Sequence, residues 1–88
     1  MPATADEILA ATKQFVLTEF LPGEDPDALL PTTPLLSGGI LDSISTVKLV
    51  GFLEDTYGIE FAAHEVSEDH LDNLDRVVKL VQEKLAAS

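Results

Sequence analysis

The segment GGILDSISTVKLV, residues 38–50, contains the side chain best placed for chemistry: Ser43, which two glycines and the acid Asp42 deliver to what reads as the first turn of a helix. A serine nucleophile needs a base within hydrogen-bond reach and donors for an oxyanion. The only histidines, His64 and His70, fall in an acidic stretch and read as solvated surface groups, and the G-x-S-x-G setting of a hydrolase serine is absent. Metal chemistry has no better support. Glu24, Asp25 and Asp27 lie close together, as do Glu65, Glu68, Asp69, Asp72 and Asp75, yet neither group has the spacing or the glycine of a calcium loop. Both are expected to be solvated charge, and no metal site is expected. What Ser43 has is position. A hydroxyl beside the N–H groups and positive dipole end of a helix is well placed to carry a phosphate ester. Asp42 would repel that phosphate in the free protein but could hold a divalent cation while the ester is made. Taken alone, Asp-Ser is equally well explained as a plain helix cap.

Four helical segments are expected to position this serine. Thr4-Ala5-Asp6-Glu7 has the capping-box pattern, and Ile8, Ala11, Phe15 and Glu19 or Phe20 follow the helical rhythm, so a first helix spans about residues 5–20 before Pro22-Gly23 stops it. Prolines 26, 31 and 34 keep the following stretch from forming a long helix. This loop is longer than usual. Leu29, Leu30, Leu35, Leu36 and Ile40 should anchor it across the bundle, with a short helical turn near 27–30. Asp42 or Ser43 caps a second helix running to about Tyr57, where Gly58 gives a left-handed exit. Ser67-Glu68-Asp69 starts a short third helix, and Asn73 can cap a fourth carrying Leu74, Val77, Val78, Val81 and Leu85 at helical spacing. No alternating strand pattern occurs. The expected fold is a small all-α four-helix bundle, three longer helices and one short third helix, formed by residues 1–88 as a single domain.

Successive steps of about 100° along the second helix gather Thr46, Leu49, Val50, Leu53 and Tyr57 on one face, the core face. Ser43, Ile44, Val47, Lys48, Gly51, Glu54 and Asp55 fall on the other. Ile44 and Val47 are thus apolar residues among charges. Scattered exposed apolar residues are ordinary, but here they fit a docking patch, with apolar contact at the centre and acids at the rim.

Composition narrows the partners. Sixteen acids against five Lys and Arg give a net charge of −11, which disfavours nucleic acid and anionic membrane and favours basic protein surfaces; the same charge also simply keeps a small protein in solution. There is no cysteine, so the hydrophobic core alone must hold a chain that buries only roughly 60% of its unfolded surface. No apolar run reaches the length of a membrane span and the N-terminus lacks a signal-peptide pattern, so a cytoplasmic monomer is expected.

Taken together, Gly39-Ile40-Leu41-Asp42-Ser43-Ile44, Val47, Leu49-Val50, the run Phe52-Leu53-Glu54-Asp55-Thr56-Tyr57-Gly58-Ile59-Glu60, and Leu71-x-Asn73-Leu74 resemble the core of the acyl carrier and peptidyl carrier protein family. The resemblance covers nearly the whole chain. It implies the helical bundle described above, and it implies that Ser43 is esterified to 4′-phosphopantetheine by a separate phosphopantetheinyl transferase, with Asp42 in the recognition or cation-holding role. The chain would then not be an enzyme but a carrier of acyl or aminoacyl thioesters. Its further partners would be an acyl- or aminoacyl-loading ligase of the adenylation type and an acyltransferase or ketosynthase, docking on Ile44, Val47, Lys48, Gly51, Glu54 and Asp55. The fatty-acid type usually has acids two and five residues after the serine, where this chain has Ser45 and Lys48, and a larger apolar residue where it has Gly51. With the GILDS form and a chain that runs from the first helix to the last, this points to a discrete carrier of polyketide or nonribosomal peptide biosynthesis. The alternatives are a fatty acid synthase carrier and an acidic helical interaction module without a prosthetic group.

Overall fold

The computed structural model describes residues 4–23 and 25–87. Among them are four α-helices and no strand: α1 (Ala5–Phe20), α2 (Ser43–Tyr57), α3 (Glu68–Leu71) and α4 (Leu74–Ala87), with short 3-10 turns at Pro26–Ala28 and Ala63–Glu65. Thr4 Oγ1 accepts from the Glu7 N–H at 3.2 Å and starts α1 where the Thr-x-x-Glu signal placed it. Gly58, at φ 66° and ψ 37°, ends α2 in the left-handed conformation, its N–H donating to the Glu54 carbonyl. Asn73 Oδ1 accepts from the Arg76 N–H at 2.8 Å at the start of α4. Each of these contacts lies within four residues, and each was visible in the sequence.

α1 packs against α2 and α4, and α3 packs against α4. One core runs between them, built from Ile8 and Val16 of α1, Leu49 and Leu53 of α2, Leu71 of α3, and Leu74, Val77 and Val81 of α4, with Leu29, Leu35 and Leu41 supplied by the long loop. Each such side chain contributes about 1.5–3 kcal/mol relative to leaving it in water. No helix of the described residues is long and apolar enough to cross a membrane.

Three local expectations are corrected. On α1 the fully buried line is Ile8, Thr12 and Val16, whereas Ala11 and Phe15 sit half-buried at its edge. Thr12 tolerates the centre because its hydroxyl donates to the Ile8 carbonyl at 2.7 Å. Phe15 is displaced to the α1–α2 seam, where it stacks on Phe52 with ring centroids 4.3 Å apart. In the loop, Leu29 and Leu35 anchor as expected but Leu30 is 54% exposed. A tight turn, with the Leu30 N–H donating to Thr33 Oγ1 and the Thr33 N–H to the Leu30 carbonyl, directs Leu30 outward. On α4, Leu80 joins the buried set, and Leu85 only packs against its edge.

Gly51 lies in the interior of α2, where glycine costs about 1 kcal/mol relative to alanine. A Cβ at Gly51 would meet no atom within 4 Å. Nothing in the packing of this fold explains that glycine.

Candidate functional site

Asp42 is the N-cap of α2: its backbone is extended, its Oδ1 accepts from the Ser45 N–H at 2.7 Å, and its carbonyl accepts from both the N–H and the hydroxyl of Thr46. The Ser45 hydrogen bonds, from backbone first and then side chain, hold the Asp42 carboxyl below its ordinary value. It is therefore a stable anion at neutral pH. Ser43 follows as the first helical residue, exposed, and its hydroxyl makes no hydrogen bond among the described residues. The other described serines are engaged: Ser37 by Asp72, Ser45 by Asp42 and Ser67 by the His64 carbonyl. A hydroxyl at a helix start, in water and without a competing partner, is free to react when a second protein brings the reagents.

The glycines before it set the path. Gly38 sits where a Cβ would fall 2.4 Å from the Pro34 carbonyl oxygen, a backbone atom that cannot swing aside. Gly39 turns with φ 80°, a conformation that side-chain-bearing residues avoid. The Gly39 N–H donates to the Leu36 carbonyl and the Leu41 N–H to that of Leu35, closing a compact corner that leads straight to Asp42.

The corner is held from below by a residue that sequence reasoning treated as solvated charge. Asp72, at the end of α3, accepts from the Leu36 N–H at 3.0 Å, from the Ser37 N–H at 2.8 Å and from the Ser37 hydroxyl, while its carbonyl accepts from the Leu35 N–H. Just beyond, the Asp75 N–H donates to the Pro31 carbonyl. Glu65 is likewise structural, joined to Lys84 at 2.6 Å and accepting from the Ala62 N–H. Among the described members of the two acidic groups, no cluster that could hold a metal forms; Glu24 lies outside the described residues. His64 is exposed and His70 half-buried, and neither hydrogen-bonds to Ser43.

Hydrogen bonds from the Ser37 backbone and hydroxyl depress the Asp72 pKa from its ordinary 3.8. A group whose folded pKa is depressed adds stability above its unfolded pKa and loses it as the pH falls through the folded one. Asp72→Asn should therefore lower Tm at pH 7, and the gap to wild type should close as the pH is taken from 5 to 2. Thermal melts across that range check it. A gap independent of pH would remove the clamp as its cause.

The outer face of α2 matches the sequence assignment. Ile44 is 70% and Val47 65% exposed, Lys48 and Asp55 are exposed, and Gly51 lies between them. Glu54 differs: it is half-buried, and its Oε2 accepts from the Phe61 N–H at 2.8 Å, pinning the segment after α2. Glu54 thus has a structural task on the outer face of α2.

No family model and no curated protein matches the chain. A solved chain described as "Crystal structure of FAD-dependent dehydrogenase" is similar to it, at 34% identity and a TM-score of 0.72, the match covering 80% of this chain and 97% of that one. Over that extent the two share sequence as well as fold, and this chain belongs to the same family as that helical chain.

Proposed function

We propose that the protein is a carrier on which Ser43 bears a 4′-phosphopantetheine arm, attached by a separate transferase, and that it presents acyl or aminoacyl thioesters to a loading ligase of the adenylation type and to acyltransferase or ketosynthase partners in polyketide or nonribosomal peptide biosynthesis. The observation that carries this reading is the isolation of Ser43: exposed, without a hydrogen bond to its hydroxyl among the described residues, at the start of a capped helix whose approach is held by the Asp72 clamp. A serine activated within its own chain would face a base, whereas a serine to be modified by a visiting enzyme needs access and a fixed place. Asp42 supplies an anion beside it for the cation that accompanies coenzyme A. The test is intact-mass measurement after incubation with coenzyme A, magnesium and a broad-specificity phosphopantetheinyl transferase. One phosphopantetheine should be added, and an unchanged mass would overturn the reading.

Ile44 and Val47 form the contact surface for these partners. Val47→Asp should leave helical CD unchanged and move stability by no more than about 0.5 kcal/mol, as for an exposed position. It should slow transfer of cargo to a partner enzyme about tenfold, the scale of one lost apolar contact at an interface centre. A large drop in Tm would show that Val47 belongs to the core.

A further partner class can be tested. The similar solved chain is described as an FAD-dependent dehydrogenase, and a flavin-dependent dehydrogenase is a candidate to act on cargo carried as a thioester. A thioester carbonyl acidifies the adjacent C–H, so a base of that enzyme can take the α proton while hydride leaves the β carbon for the flavin, giving an unsaturated thioester and reduced flavin. Loss of two hydrogens from the loaded carrier, read by mass, tests it. The distinct possibility of a carrier for fatty acid synthase is disfavoured by Ser45 and Lys48, which replace acids on the surface such enzymes would read.

A further inference from the structure

A cavity of about 160 Å³ opens where the end of α1 meets the long loop. Leu17 and Leu21 on the α1 side and Ala28, Leu29 and Ile40 of the loop give it an apolar lining. Leu29 is buried in the core, whereas Leu17, Leu21 and Ile40 are half-buried, so the cavity is an opening from the surface into the apolar interior, not a sealed void. A dry apolar cavity of roughly 150 Å³ takes up a molecule the size of benzene. The space therefore suits an apolar group of about four to six carbons and is too small for a long alkyl chain.

Two polar residues, Thr33 and Asp25, complete the lining. Thr33 Oγ1 accepts from the Leu30 N–H at 2.8 Å, so its oxygen serves the turn. Asp25 is exposed and held in place, its Oδ1 accepting from the Asp27 N–H and its carbonyl from the Ala28 N–H, each at 2.9 Å. A carboxylate has about four acceptor sites, and no cation pairs with Asp25 among the described residues. An anion at the rim of an apolar cavity favours a ligand that carries a cation beside an apolar group. The cavity is also near the serine: Ile40 precedes Ser43 by three residues, at most about 11 Å of chain. A pantetheine arm, about fourteen covalent bonds from the serine oxygen to the thiol sulfur, spans roughly 18 Å when extended. It can fold back to the cavity with length to spare.

We propose that this loop cavity is a cargo subsite for an α-aminoacyl thioester whose side chain is apolar and of about four to six carbons. The side chain enters between Leu17, Leu29 and Ile40, and the α-ammonium meets the Asp25 carboxylate. Docking restricts the arm, and the removal of apolar surface from water, on the cargo and on the half-buried lining alike, offsets that loss. The inference rests on the carrier reading and narrows its cargo from acyl or aminoacyl groups to apolar amino acids. A fatty acyl chain would overfill the cavity and bring no cation to Asp25, and glycine would leave the cavity empty.

The experiment uses a broad-specificity phosphopantetheinyl transferase to load the apo protein from coenzyme A analogues in which an amide replaces the thioester. They carry leucyl, glycyl or 4-methylpentanoyl, the last being the leucyl group without its nitrogen. Methyl NMR spectra and Tm are compared with those of the form that bears the bare arm. The leucyl form should shift the methyl signals of Leu17, Leu21, Leu29 and Ile40 and raise Tm by roughly 5 °C, the scale expected if the docked state is favoured about tenfold. The glycyl form should do neither, and the 4-methylpentanoyl form should give smaller shifts. Asp25→Asn, whose amide oxygen can still accept from the Asp27 N–H, should reduce the leucyl shifts to that smaller level. Asp27→Asn removes the same charge from outside the lining and should leave them intact. Equal spectra for the leucyl and glycyl forms overturn the subsite, and leucyl shifts indifferent to Asp25→Asn overturn its assignment to amino acids; both leave the carrier reading in place. A wild type that takes no phosphopantetheine from coenzyme A itself overturns the carrier reading, and the subsite with it.

Discussion

Ser43→Ala is expected to fold like the wild type and to gain no mass at all when offered coenzyme A and transferase. Both halves follow from the geometry. The Ser43 hydroxyl makes no hydrogen bond among the described residues, so its removal orphans no group there. The α2 cap depends on Asp42, whose Oδ1 bonds the Ser45 N–H and whose carbonyl bonds Thr46, and neither contact involves the Ser43 side chain. Alanine is also the better helix former at an exposed position, so CD should be unchanged and stability within about 0.5 kcal/mol of wild type. The modification, in contrast, is all or none, because an alanine has no oxygen to accept the phosphoryl group. An equal mass increment on the variant would transfer the role to another serine, with Ser45 the nearest. Asp42→Asn is the instructive companion. An amide oxygen can still cap α2, so the helix should persist, while the anion beside the serine is lost and modification should slow if that anion holds the transferase's cation.

Much of this arrangement was legible in the sequence, and the parts that were not share a physical cause. Helix ends came from contacts that close within four residues, such as Thr4 with Glu7 and Gly58 with Glu54, and the two faces of α2 came from its period alone. The Ser43 position needs only these local terms. Asp72 reaches Leu36 and Ser37 across some 35 residues of chain, and nothing around Asp72 distinguishes it from the other acids of its stretch. The place of Phe15 at the edge of the buried stripe was hidden for the same reason: it follows the helical rhythm, but its stacking partner, Phe52, lies on another helix, and periodicity within α1 cannot say which edge a large ring will serve. Gly51 is the reverse case. The sequence places it on the outer face, but only the open space around its position shows that the fold does not require it.

Gly38→Ala should be far more disruptive than its size suggests, and it separates the presentation of the serine from the chemistry on it. Inserting one methyl 2.4 Å from the Pro34 carbonyl oxygen forces backbone to move, since no rotamer change relieves a clash between Cβ and main chain. Overpacking of this kind costs about 1–3 kcal/mol, and for a domain of this size each kcal/mol lowers Tm by roughly 4–8 °C. The backbone that must yield is the corner between Leu35 and Leu41, whose N–H groups at Leu36 and Ser37 are held by Asp72. Leu35 and Leu41 are both core residues, so the corner cannot open outward without exposing them. The variant must therefore either loosen the clamp or tilt the segment that delivers Asp42. In either case modification of Ser43 should slow at temperatures well below the melt, even though the serine and its cap are intact in sequence. Gly51→Ala, a glycine replacement of the same size with free space around it, provides the thermal control and should not lower Tm. If Gly38→Ala melts with wild-type Tm, the close approach to Pro34 is not part of the folded state. If it is destabilised but modified at the wild-type rate while folded, the corner stabilises the bundle without setting the position of Ser43.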